Sequence, residues 1–274
     1  MNTTPTPAKR TIPPSLTREL KAFYKKSARR HLPWRATRDP YKILVSEVML
    51  QQTQVDRVIP YYKNFLKQFP TAGVLAKAPL SQVLKAWQGL GYNRRGKYLW
   101  EAGKLLAGAK MSRKNSLARK RSERETGDPR TFLRDIFVQA KLPGVGPYTA
   151  AAVRAFAFNE PTVFIETNIR TVFFHHLGSS SFLQKATISD KELLPLVEEA
   201  LKKSKMEPRD FYAALMDYGS CLKKQGVKLN SKSKHYKKQS KFDGSTRQKS
   251  AAKLRELLAR GASEAQIKKV LNSK

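Results

Sequence analysis

Residues Leu142–Val153 read LPGVGPYTAAAV, and this string decides how the chain around it folds. Gly144 and Gly146 stand two apart, which permits a tight turn and a close backbone approach to a ligand. Pro147 suits a first helical position, because a helix start leaves that amide unpaired in any case. The apolar spacing predicts one helix before the turn, over 132–140, and another after it, over 147–158. The expected motif is two helices joined by a glycine turn. Its backbone, from Leu142 through Gly144 and Val145 to Gly146, offers amides to an anion at a helix start. An ordinary corner between two helices is the alternative reading of the same letters.

Charge selects the anion. Lysine and arginine total 54 against 21 acidic residues, a formal charge of +33 and a sequence pI near 10.4. Such a chain is drawn to polyanions, nucleic acid first and an anionic membrane surface second. A turn that grips phosphate through its backbone would hold DNA without reading its sequence. The lone cysteine, Cys221, excludes an internal disulfide or a cysteine-built metal cage. The start, MNTTPTPAKRTIPP, lacks the apolar stretch of a signal peptide, and no run is long enough to cross a bilayer. A soluble cytoplasmic protein is expected, associated with the nucleoid if the source is bacterial, with no membrane partner and no cofactor or metal.

Outward from the turn the periodicity stays helical, from Leu16 to Leu222, and suggests about ten short helices with no strand pattern. Val55, Ile59, Tyr62 and Leu66 share a face that Pro60 is expected to kink. Leu80, Val83, Leu84 and Trp87 share another, with Pro79 at a first helical position, and Tyr98, Leu99, Ala102, Leu105 and Leu106 a third. Residues 1–14 read as a flexible arm. Residues 109–130 are basic without an apolar face and read as an inserted mobile loop. Residues 223–249 hold ten lysines and arginines against Asp243 alone, a basic linker. Beyond it, 251–258 and 263–271 read as two short helices broken at Gly261.

Three further motifs stand in order: HLPWRATRDPYKILVSEVMLQQTQVDRVIPYY over 31–62, WQGLGYNRRGKYL over 87–99 and FIETNIRTV over 164–172. With the glycine turn they resemble the helix-hairpin-helix DNA glycosylases of the endonuclease III type, and most closely the adenine glycosylase branch, over roughly residues 20–220. The resemblance implies an all-α fold of two helical lobes with a DNA-binding cleft between them. One lobe would be a six-helix barrel over 37–163 and the other would combine 15–36 with 164–225, leaving 226–274 as a basic extension. It implies a monomer acting on double-stranded DNA with a mismatch or lesion.

Breaking an N-glycosidic bond builds positive charge on the sugar and needs a proton for the leaving base, so it calls for two carboxyl groups. By resemblance Glu47 is the acid toward the base; its apolar setting, SEVML, is expected to raise its pKa. Glu166 stands where the family has the aspartate that stabilises the sugar cation, one methylene longer, and this departure puts the reach of that carboxylate in question. Asn168 matches the family's asparagine and would orient the carboxylate or contact backbone. A helix-start carboxylate and a cap are the plain readings of these two residues. Tyr148 occupies the position of the lysine that forms a Schiff base in bifunctional members, which implies a monofunctional enzyme. Gln51 and Gln52 would probe the DNA stack where the target base leaves it, and Tyr92, Arg94 and Arg95 would line the DNA side. Trp87 reads as core, Trp34 is left without a role, and His175 and His176 read as packing or surface residues.

Most family members continue into four cysteines that hold an iron–sulfur cluster. Here Cys221 falls two positions short of the first ligand, where Lys223 aligns, and one thiol cannot hold a cluster. Lys237, Lys238 and Lys241 are expected to offer a phosphate-binding surface in its place. The residues after Gly226 are expected to be too few for the domain with which adenine glycosylases recognise 8-oxoguanine. The reading favoured is removal of adenine opposite G or 8-oxoguanine. A thymine or uracil mismatch glycosylase, a non-catalytic DNA-binding scaffold and an abasic-site lyase remain as alternatives.

Overall fold

The computed structural model describes residues 11–119, 129–138, 142–178, 186–236 and 241–272, with side chains described outside 109–132. Among these residues the fold is all-α, its one extended pairing being an isolated bridge between Ile188 and Ser233. The chain forms two compact units.

The first unit joins residues 1–29 to 159–238. Helix α1 (Pro14–Ser27) belongs to it, with α9 (Thr167–His176), α10 (Asp190–Ser204), α11 (Pro208–Lys224) and a 3-10 turn (Leu229–Lys232). Leu16 and Leu20 of α1 are fully buried where α1 packs on α9, α10 and α11. Asp217, buried on α11, accepts from the Arg29 amide at 2.9 Å and from its Nε at 2.8 Å, tying the end of α1 to α11. The tightest approach is between α9 and α11. A Cβ on Gly219 would lie 2.2 Å from the Asn168 carbonyl oxygen, so α11 can pass there only as glycine.

The second unit joins 30–158 to 239–274. It contains α2 (Pro40–Leu50), α3 (Val55–Gln68), α4 (Ala72–Lys77), α5 (Leu80–Trp87), α6 (Arg94–Arg119), α7 (Pro129–Val138), α8 (Pro147–Phe158), α12 (Thr246–Ala259) and α13 (Glu264–Asn272). At its centre lies α2, apolar on nearly every side and buried at Tyr41 and from Ile43 through Met49. The DPY motif starts it: Asp39 caps the amides of Tyr41 and Lys42 at 2.8 and 3.2 Å, and Pro40 is the first helical residue. Trp34 and Trp87 are core, Trp34 edge-on to Tyr62 and Trp87 edge-on to Phe65.

Several expectations are corrected. Residues 109–119 continue α6 instead of forming a loop, because they hold neither glycine nor proline and extending a formed helix is far cheaper than nucleating one; 120–128 lie outside the described residues. Pro79 is the N-cap of α5, not its first residue, Pro60 sits inside an unbroken α3, and Leu105 is exposed. The chain crosses between the compact units after Arg29 and Phe158. Residues 159–163 are held to the start of α11, where Asn159 Oδ1 accepts from the Arg209 amide and Tyr212 Oη donates to the Thr162 carbonyl. The residues after Gly226 fall in both units. Asn230 Nδ2 donates to Thr171 Oγ1 in the first unit, whereas α12 and α13 belong to the second.

Gly219→Ala is expected to destabilise the first unit by about 1–3 kcal/mol, the usual cost of forced overpacking. Chemical denaturation with unchanged slope and a lower midpoint checks this; an unchanged midpoint would contradict the close α9–α11 approach.

Candidate active site

The second unit brings the end of α2 against the start of α8. Glu47 is 6% exposed, and Tyr148 Oη donates to its Oε2 at 3.2 Å. One turn further along α2, Gln51 Nε2 donates to Thr149 Oγ1 at 3.3 Å. The hairpin leads directly into these contacts. Gly144 has φ +72°, and a Cβ there would lie 2.7 Å from Tyr98 Cβ, so both the left-handed turn and the approach to α6 demand glycine. Leu142 and Val145 bury their side chains, and the Val145 amide closes the turn on the Leu142 carbonyl at 3.0 Å. Gly146 is exposed, with open space where a Cβ would stand, and among the described residues its amide meets no acceptor. Glu47, Gln51, Tyr148 and the glycine turn thus form one locality. Gln52 is exposed beside it in a left-handed conformation, φ 55°.

Arg95 has a different place from the one expected. It is 8% exposed and turned into the unit, so a direct contact with DNA is corrected to an internal role. Its Nη1 donates to the carbonyls of Val48 at 2.9 Å, Met49 at 3.0 Å and Gln51. Its Nη2 donates to Thr53 Oγ1 at 3.1 Å and to the carbonyls of Leu90 at 3.3 Å and Gly91 at 3.1 Å. The last turn of a helix leaves carbonyls unpaired and partly negative, and a buried guanidinium answers both needs. Burial nevertheless weakens its hold on the proton, bringing the pKa down to about 10, while nearby Tyr92 opposes that shift. The periodicity contained the signal: Arg95, Leu99, Ala102 and Leu106 lie on one buried face of α6.

Arg94, by contrast, is exposed, and its Nε donates to the Leu271 carbonyl of α13. Tyr92 has φ 48°; both Arg95 and Arg247 lie over its ring, at 5.4 and 5.2 Å, and Arg247 Nη1 donates to its hydroxyl at 2.6 Å. Sequence reasoning missed Arg247, Thr149 and Gly219, because each acts through a partner remote in the chain. Lys241 is exposed, and Lys237 and Lys238 lie outside the described residues.

In the first unit Glu166 caps α9. Its Oε1 accepts from the amides of Asn168 at 2.7 Å and Ile169 at 3.0 Å, and Asn168 Nδ2 donates to its Oε2 at 3.3 Å. The carboxylate folds back over its own helix start, as Asp39 does at the start of α2. Burial pushes this carboxyl above its ordinary value of 4.5, opposed by the two amides and by the charges of Lys223 and Arg170. Asn168 Oδ1 is buried without a hydrogen-bond partner among the described residues. His176 is buried 3.8 Å from Glu19, its pKa lowered by desolvation, and no cluster of His, Cys, Asp and Glu among the described residues could hold a metal ion. Cys221, half-buried on α11, is the sole thiol of the sequence, so these residues do not fit a four-cysteine cluster.

Residues 45–199 match the HhH-GPD superfamily of base excision DNA repair proteins, and the chain belongs to that family. It is 32% identical over 206 residues to the adenine DNA glycosylase of Buchnera aphidicola subsp. Baizongia pistaciae, which covers 73% of this chain and 51% of that one. To the adenine DNA glycosylase of Mycolicibacterium smegmatis it is 36% identical over 205 residues, covering 74% and 62%. To that of Homo sapiens it is 35% identical over 205 residues, covering 71% and 33%. The chain therefore spans between a third and three-fifths of these relatives' length. A solved thermostable thymine-DNA glycosylase superposes with a TM-score of 0.52 at 26% identity, covering 75% of this chain and 85% of that one. No helix among the described residues is long and apolar enough to cross a membrane.

Arg95→Met leaves several buried carbonyls without a donor and is expected to cost at least about 3 kcal/mol, read as a lowered denaturation midpoint. Wild-type stability close to that of the variant would refute the internal role. Glu166 gives a pH-dependent test. Its folded pKa lies above its unfolded one, so its contribution is complete below the unfolded value and is lost as pH rises through the folded value. The stability of wild type relative to Glu166→Gln is therefore expected to fall from about pH 4.5 upward, then level off. A difference that grows with pH would reverse the assignment.

Proposed function

We propose that this chain is a monofunctional DNA glycosylase that hydrolyses the N-glycosidic bond of a mispaired base flipped out of double-stranded DNA, with adenine opposite G or 8-oxoguanine the favoured target. The observation that carries the reading is the buried Glu47 carboxyl, held by Tyr148 at the foot of the glycine hairpin. Glu47 delivers the proton to the leaving base as the bond from base to sugar C1′ breaks. Glu166, ionised, stabilises the cation left on the sugar, and water adds to C1′ to yield free base and an abasic site. Asn168 orients that carboxylate. Tyr148 has no amine to form a Schiff base, so the strand stays intact. The hairpin amide of Gly146 takes a DNA phosphate. Gln51 and Gln52 probe the stack at the vacated position, and exposed Arg94 and Tyr92 flank it. Lys237, Lys238 and Lys241 add phosphate contacts. The enzyme acts as a cytoplasmic monomer without a cofactor.

The likeness to a thymine-DNA glycosylase structure favours a second reading, a thymine or uracil mismatch glycosylase on the same chemistry.

Single-turnover reactions on labelled duplexes carrying A, T or U opposite G or 8-oxoguanine separate these readings. Strand breaks are expected only after hot alkali, strongest for A. Glu47→Gln is expected to lose on the order of 10²–10⁴-fold in rate and Glu166→Asp to remain active. Because Glu166 works ionised and its carboxyl is raised, the acid limb of the rate is expected above pH 4.5. Tight binding with no product on any duplex would leave a DNA-binding scaffold, and breaks without alkali a lyase.

A further inference from the structure

The helical pair α12–α13 is absorbed by none of the chemistry above, yet it is built into the second unit. Leu254, Leu257, Leu258, Ile267 and Leu271 are buried. The pair is pinned at both ends of its length. At the α13 end the Leu271 carbonyl accepts from Arg94 and Asn272 Oδ1 accepts from Lys97 Nζ at 2.8 Å. At the α12 end Arg247 bonds the Tyr92 hydroxyl and, through Nη2, the Lys241 carbonyl at 3.2 Å. The loop before α12, residues 241–245, is thereby fastened beside Tyr92. Its turn is closed by Ser245, which caps the Gln248 amide at 3.3 Å, and by the Gly244 amide, which donates to Gln248 Oε1 at 2.7 Å. This loop is therefore a shaped element with a fixed neighbour.

What it displays is unusual for a solvated surface. Phe242 is 49% exposed at the loop tip. Lys241 precedes it, and Lys249 lies one turn into α12, both exposed. Neither lysine has an ion pair among the described residues; the loop's one acid, Asp243, is exposed beside Phe242, and the acids Glu256 and Glu264 of this helical pair are matched by Lys253, Arg260 and Lys268. An uncovered aromatic ring between unmatched cations costs apolar exposure in water but suits a nucleic acid, whose phosphates take the ammonium groups and whose base steps accept an apolar edge.

We propose that the loop 241–245 with the first turn of α12 is a second DNA-contacting element of this unit. Lys241 and Lys249 bind phosphates of duplex DNA, and Phe242 presses against the bases at a step the site has opened. Arg247 holds the loop to Tyr92, whose ring also meets Arg95, the residue that closes the end of α2. The loop is thus coupled by direct contacts to the turn that carries Gln51. The inference rests on the DNA-glycosylase reading, which already gave Lys241 a phosphate, and adds to it Phe242, Lys249 and the anchoring of their loop by Arg247.

Equilibrium binding to an undamaged duplex, measured by fluorescence anisotropy over a salt series on the full chain, tests it. Lys241→Ala with Lys249→Ala is expected to flatten the slope of log K against log salt by about 1.8, the value for two lost phosphate contacts. Phe242→Ala is expected to weaken binding about five- to tenfold at fixed salt with the slope unchanged, and Phe242→Trp to restore it. Unchanged melting temperatures keep these losses from being unfolding. If all variants bind like the parent, the loop is not a DNA contact and the proposal is overturned while the glycosylase reading stands. If the parent itself shows no salt-dependent affinity for duplex DNA, that reading falls and the loop proposal falls with it.

Discussion

The buried guanidinium of Arg95 is the constraint on which the second unit depends. Helix α2 runs through the centre of that unit, so its last carbonyls cannot turn to water. A cation supplied from the start of α6 meets three of them, and with its other nitrogen it gathers the Leu90–Gly91 turn. One side chain thereby joins the end of the helix that carries Glu47 to the turn that carries Tyr92. The arrangement explains why two successive arginines have opposite fates: Arg95 faces inward on the helix, and Arg94 faces out to receive α13.

The two carboxylates illustrate two ways of holding an acid. Glu47 is surrounded by apolar residues of α2 and meets a tyrosine hydroxyl, a neutral donor. Glu166 is surrounded by donors of its own helix start, which favour the charged form, against a burial that disfavours it. Burial wins. The amide contacts themselves are those of an ordinary N-cap, the pattern that Asp39 makes with the shorter side chain at the start of α2.

Basic charge is spread along the chain, but the structure gives its parts different work. Arg29 and Arg170 are committed to Asp217 and Asp190 within the first unit. Lys97 and Arg247 fasten α12 and α13 to the second unit. Much of the rest of the basic charge among the described residues stays outward, on α1, α3, α10 and α11 as well as in the loop before α12.

The amino-acid sequence by itself determined the all-α class, the helical pair around Gly144 and Gly146, the start of α8 at Pro147 and the exclusion of a four-thiolate cluster. These rest on local physics: periodicity, capping, the backbone freedom of glycine and a count of cysteines. It also singled out Glu47, Tyr148 and Glu166, because each lies inside a motif whose order along the chain is distinctive. Tertiary structure alone decided that Arg95 points inward. Only there does Gly219 become a contact point for Asn168, and only there do the last helices join the second unit. Each of these depends on a partner far away in sequence, and no local pattern encodes which distant carbonyl a guanidinium will meet or which backbone will pass against a glycine.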